Sequence, residues 1–119
     1  GDLDGDGDAD VVLTQSGGRP LVLRNDQQLT HHFSRLKLVG SKGNREAIGA
    51  LVRARVGAGT RTQQVMPSRG YLSASELPIT FGLDAAGAID SLEVVWPDGK
   101  TQKIKGWKKD AVTVVEEAR

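Results

Sequence analysis

The chain has 119 residues, 38% hydrophobic and 26% charged, which is the balance of a globular domain and not of a disordered segment. That length serves one ordinary domain plus an appendage, and the absence of cysteine removes disulfides, thiolate zinc sites and cysteine nucleophiles. The net charge of +1 conceals a division: the first ten residues hold five Asp and no base, while the remainder holds ten acids against all sixteen Lys and Arg. No apolar run approaches the ~20 residues needed to span a bilayer, so this stretch carries no transmembrane segment.

The first element is an acidic loop, Asp2-Leu3-Asp4-Gly5-Asp6-Gly7-Asp8-Ala9-Asp10. Its carboxylates stand at relative positions one, three, five and nine, with Gly7 at six and the Asp8 carbonyl at seven. Calcium takes six to eight hard oxygen ligands, and alternate residues of a tightly wound loop can all point at one centre. The expected ligands are therefore the side chains of Asp2, Asp4, Asp6 and Asp10 and the backbone oxygen of Asp8, with Ca²⁺ as the cofactor. An EF-hand would place a bidentate Glu at position twelve, where this chain has Leu13, and the β-like run Val11 to Thr14 also disfavours a dockerin-type loop. A solvated acidic turn is the plainer alternative.

Beyond the loop, short β-branched runs separated by Gly and Pro predict an all-β chain. Val11 to Thr14 and Leu21 to Leu23 form a hairpin around Ser16-Gly17-Gly18-Arg19. Phe33 to Val39 follows as a strand with Leu36 and Leu38 on the inner face and Arg35 and Lys37 on the outer. Ala47 to Val56 has a composition that suits a helix, but Val52, Ala54 and Val56 alternate with Arg53 and Arg55. It is expected to pair with Arg61 to Met66 across Gly57-Ala58-Gly59. Leu92 to Trp96 turns through Pro97-Asp98-Gly99-Lys100 into Gln102 to Ile104, and Val112 to Val114 is the last strand. About nine strands at this spacing imply a β-sandwich or barrel.

Other polar groups were weighed as sites. His31 and His32 are adjacent on a strand, so their side chains diverge and cannot share one metal. No Gly-x-Ser-x-Gly nucleophile motif occurs, and the chain is expected to be non-enzymatic. Asn44, Arg45, Arg69 and Tyr71 lie in two loops expected to emerge at the same end of the domain, and form the candidate ligand surface. The competing reading makes Arg45 and Glu46 structural and Tyr71 part of the core. Trp96 is in phase with the core, and Trp107 is the more exposed tryptophan. Arg53, Arg55, Lys103, Lys105, Lys108 and Lys109 could form a basic stripe that contacts nucleic acid or anionic glycans; it is read instead as the solvated face of two sheets, and nucleic acid is disfavoured as a partner.

The motif Asp2 to Asp10, followed by Val11 to Thr14 and then Gly17 to Asp26, resembles the end of an FG-GAP (VCBS-type) β-propeller repeat. The segments Leu38 to Ala50, Ser68 to Ser75, Phe81 to Leu83 and Asp90 to Gly99 resemble the ASPIC/UnbV domain. That domain follows such repeats in the cartilage acidic protein family and its bacterial relatives. Gly43, Arg69 and Ala74 depart from the usual residues of the family. The resemblance implies two parts: residues 1–28, a calcium-loop hairpin left over from a propeller blade, and residues 31–119, a β-sandwich. It further implies an extracellular, periplasmic or outer-surface location, and upstream propeller repeats of the same chain as partners. Opening on Gly1 with Met66 as its only methionine, the chain reads as the C-terminal piece of a longer protein, so any signal peptide is expected upstream. Function is expected to be adhesion or recognition of an extracellular protein or glycan; the alternative is a carbohydrate-binding or enzyme-accessory domain.

Overall fold

Short alternating or β-branched runs set most elements of the computed structural model, which describes residues 1–27, 30–85 and 87–118. The described residues contain nine strands and no helix, hence no helix long and apolar enough to cross a membrane. The chain divides into two compact units, Gly1–Thr30 and His31–Arg119.

In the first unit, β1 (Val11–Leu13) and β2 (Leu21–Leu23) pair antiparallel, with Val11 opposite Leu23 and Leu13 opposite Leu21. The pleat places Val11, Leu13, Leu21 and Leu23 on one face and Val12 and Val22 on the other. All six are between 47% and 64% exposed. This ribbon is apolar on both sides.

The second unit is a sandwich of two sheets. Strands β6 (Ile79–Asp84), β3 (His32–Val39) and β9 (Val112–Glu116) form one in the order β6-β3-β9, with β9 parallel to β3. Strands β5 (Gly59–Gln64), β4 (Leu51–Val56), β7 (Ser91–Val95) and β8 (Thr101–Ile104) form the other, ordered β5-β4-β7-β8 and antiparallel throughout. Leu36, Leu38, Phe81, Leu83 and Val115 from the first sheet and Val52, Ala54, Leu92 and Val94 from the second are buried in one core that includes Trp96. Ser34 is fully buried among them, and its hydroxyl has no hydrogen-bond partner.

Side chains bridge both open edges of the sandwich. From β5, Arg61 donates to the Gly82 carbonyl and pairs with Asp84 (2.9 Å), while Gln63 donates to the Thr80 carbonyl (2.7 Å). From β8, Gln102 donates to the Glu116 carbonyl (3.0 Å), and its Oε1 accepts the N–H of Ala118 (2.9 Å) and the indole N–H of Trp96 (2.8 Å).

One sequence expectation needs correction, and the structure adds two features that the sequence did not predict. Ala47 to Ala50 is not strand: Ala47 (φ 51°) and Gly49 (φ 91°) adopt left-handed conformations that break extension, and β4 begins at Leu51. Strand β6 lies outside the predicted strands, although Ile79, Phe81 and Leu83 alternate with Thr80, Gly82 and Asp84. In β9 the inward residues are Thr113 and Val115, whereas Val112 and Val114 face solvent.

Candidate metal centre

The acidic loop is wound by its own backbone. The Asp2 carboxylate accepts the N–H of Gly5 (2.7 Å) and of Gly7 (3.2 Å), a path that takes Gly5 to φ 83° and Gly7 to φ 97°, where a side chain would be strained. The Asp6 N–H reaches Asp4 (3.4 Å) and the Asp8 N–H reaches Asp6 (2.9 Å). The ends are clamped: Asp10 N–H donates to the Gly1 carbonyl (2.7 Å), and the Gly1 amino group donates to the Asp10 carbonyl (3.0 Å).

Winding the loop this way brings one carboxylate oxygen each of Asp2, Asp4 and Asp10 within 4.8 Å of one another. Two oxygens bound to a common calcium at 2.3–2.6 Å can be at most about 5 Å apart, so this donor set fits such an ion. Asp10 is the anchor. It is buried (4% exposed), and its carboxylate accepts the N–H of Asn25 (2.9 Å) and of Leu3 (2.8 Å). Those two bonds, the Asn25 one foremost, hold its pKa below the usual carboxylate range. Opposing positive charge is sparse: Arg24 lies 3.9 Å from Asp4 but binds Asp26 at 2.6 Å. Asp6 and Asp8 stand outside the three-carboxylate group, with the Asp6 side chain engaged by the Asp8 N–H.

The four residues of the candidate ligand surface separate in the structure. Asn44 braces its own loop, donating to the Ile48 carbonyl (2.8 Å) and accepting the Ile48 N–H (3.1 Å). Arg45 is exposed and lines a concavity with Ser41, Glu116 and Glu117; Asn44 lines a neighbouring one with Trp96 and Pro97. Neither contains Arg69 or Tyr71. The loops do share an end of the sandwich, because Gly49 N–H bonds the Val65 carbonyl and Val65 N–H bonds the Ala50 carbonyl, both at 2.9 Å. Arg69 donates to the Gln64 carbonyl at 3.4 Å.

Tyr71 is 94% exposed, which removes the core reading for that residue, and Leu72 beside it is 90% exposed with φ 52°. Serine hydroxyls tie the loop beneath them, with Ser68 and Ser73 both bonded to the Gly70 carbonyl. Trp107 is partly buried against the core and is the more exposed tryptophan, as expected, since Trp96 is only 2% exposed.

Glu117 is a site residue that sequence reasoning missed. Its carboxylate accepts both the N–H and the hydroxyl of Ser41 (2.8 Å each), which lower its pKa and pin the start of the 40–50 loop. No local pattern signals a contact across 76 positions.

An all-β sandwich joined to an acidic-loop hairpin defines the architecture. The profile of the family described as ASPIC and UnbV matches residues 40–119, most of the chain, and the protein belongs to that family. No curated protein matches it.

Proposed function

We propose that this protein is a calcium-binding, non-enzymatic recognition or adhesion module, exported as the C-terminal part of a β-propeller protein of the FG-GAP type. The observation that carries the reading is the convergence of Asp2, Asp4 and Asp10 within 4.8 Å, three anionic oxygens facing one point with Arg24 drawn off to Asp26. Like charges gathered so closely repel, and a divalent cation both neutralises and orders them. Asp6 and the Asp8 carbonyl complete the shell when the ion is bound.

The hairpin supports the propeller part of the proposal. A two-stranded ribbon is marginal alone in water, and this one offers aliphatic side chains from both faces. Additional strands of an upstream repeat would bury them. Tyr71, held outward on a braced loop, supports recognition by the second unit. Calorimetric titration of Ca²⁺ into the wild type and the Asp4→Ala/Asp6→Ala double variant tests the reading. Uptake by the wild type and its loss in the variant are expected; equal heats from both would reject it.

A further inference from the structure

On the outer face of the four-stranded sheet two rows are rich in cations and hydroxyl groups, and a third holds Gln64, Leu51, Val95 and Thr101. Burial of Val52, Ala54, Leu92 and Val94 turns their strand neighbours outward, and register aligns those neighbours in rows. One row is Thr62, Arg53, Glu93 and Lys103; the next holds Thr60, Arg55 and Ser91. Lys105 follows β8 and is exposed. Sequence reading had spread these cations over two sheets, whereas the structure puts Arg53, Arg55 and Lys103 on one.

Glu93 is the sole acid in these two rows, and Arg53 engages it at 3.3 Å. Arg55 and Lys103 have no acidic partner among the described residues. Asp90 precedes β7, where its N–H bonds the Arg55 carbonyl (2.8 Å). Charges two positions along a strand are about 7 Å apart, and those two strands away about 10 Å. The two rows thus offer spaced cations with hydroxyl groups between them.

We infer that this face binds a sulfated polysaccharide, with Arg55 and Lys103 contacting sulfates and Thr60, Thr62 and Ser91 hydrogen-bonding sugar hydroxyls. Charge complementarity selects a polyanion, and the two rows hold no aromatic side chain on which unpaired bases could stack. A four-stranded face is also too wide to enter the major groove, which admits a helix or a two-stranded ribbon. The inference rests on the recognition reading and gives it a surface, independently of the calcium loop.

The test is titration of a size-defined heparin oligosaccharide into the full chain at low salt, with calcium uptake measured on the same preparations. R55Q/K103Q should weaken binding about tenfold and reduce the salt slope by about two, whereas K37Q/K42Q, an equal charge change elsewhere, should weaken it less than about twofold. E93Q, which removes the acid, should tighten binding. Equal weakening by both doubles, no tightening by E93Q, undiminished binding of desulfated heparin, or tighter binding of a DNA duplex of matched charge would each overturn the inference. Failure here with calcium uptake intact counts against this surface alone.

Discussion

The carboxylate of Asp10 accepts the backbone N–H of Asn25 at 2.9 Å, joining the end of the acidic loop to the second residue beyond β2, fifteen positions away. The same carboxylate accepts Leu3 N–H and contributes to the three-oxygen cluster, so one side chain couples metal-ligand geometry to hairpin geometry. Asp10→Ala should therefore abolish calcium uptake and also speed amide exchange at Leu3 and Asn25. Amides of the second unit should keep their protection, as should those amides in wild-type protein treated with chelator, because Leu36, Val52, Phe81 and Val94 belong to a core that contains no residue of the acidic loop. Hydrogen exchange read residue by residue checks both.

Ser34 places a hydroxyl without a partner in the middle of the sandwich core. Burying such a group costs about 1–3 kcal/mol, and replacing it by an apolar group of similar shape removes the penalty. Ser34→Ala should raise the unfolding free energy by about 1 kcal/mol, measured by urea denaturation.

Gln102 closes the β8–β9 edge with bonds to the Glu116 carbonyl, the Ala118 N–H and the Trp96 indole. Gln102→Leu should cost about 1–3 kcal/mol by leaving the buried indole N–H without its acceptor. Trp96 fluorescence during denaturation would report it.

Acid should unfold the second unit through its paired carboxylates. The N–H of Phe33, followed by His32, holds Asp110 below its ordinary pKa, and the N–H and hydroxyl of Ser41 do the same for Glu117. For a depressed carboxylate the stabilisation is fully present above the unfolded-state pKa of about 4 and is lost as pH falls through the lower folded value. Stability should thus fall below about pH 4, and Asp110→Asn should flatten part of that fall. Chemical denaturation across pH 2 to 6 checks the slope.

Most of the sandwich was legible because its strands obey period-two alternation, as Leu36 and Leu38 against Arg35 and Lys37 illustrate. Strand β6 obeys the same alternation, with Ile79, Phe81 and Leu83 inward and Thr80, Gly82 and Asp84 outward, but an outward glycine weakens its strand signal. A Cβ added at Gly82 would meet the Arg61 guanidinium at 3.6 Å, an ordinary van der Waals contact. The turn at Ala47 was hidden because an alanine in left-handed conformation has no compositional signature. In the acidic loop, ligand spacing identified the candidate residues. The sequence could not separate the clustered Asp2, Asp4 and Asp10 from Asp6 and Asp8, because that depends on which backbone amides each carboxylate meets. The exposure of Tyr71 was likewise beyond pattern reading, since it lies in a loop whose course is set by Ser68, Gly70 and Ser73.

Calcium binding at the acidic loop is most directly tested by an amide-resolved NMR titration with CaCl₂, carried to about 10 mM to exceed the 10⁻⁴ to 10⁻³ M affinities of extracellular modules. The expected result is saturable shifts at Leu3, Gly5, Gly7, Asp10 and Asn25, absent in the Asp4→Ala/Asp6→Ala variant, with the amides of β3 to β9 unmoved. Flat titration curves at all five amides, or shifts that persist in the variant, would contradict it.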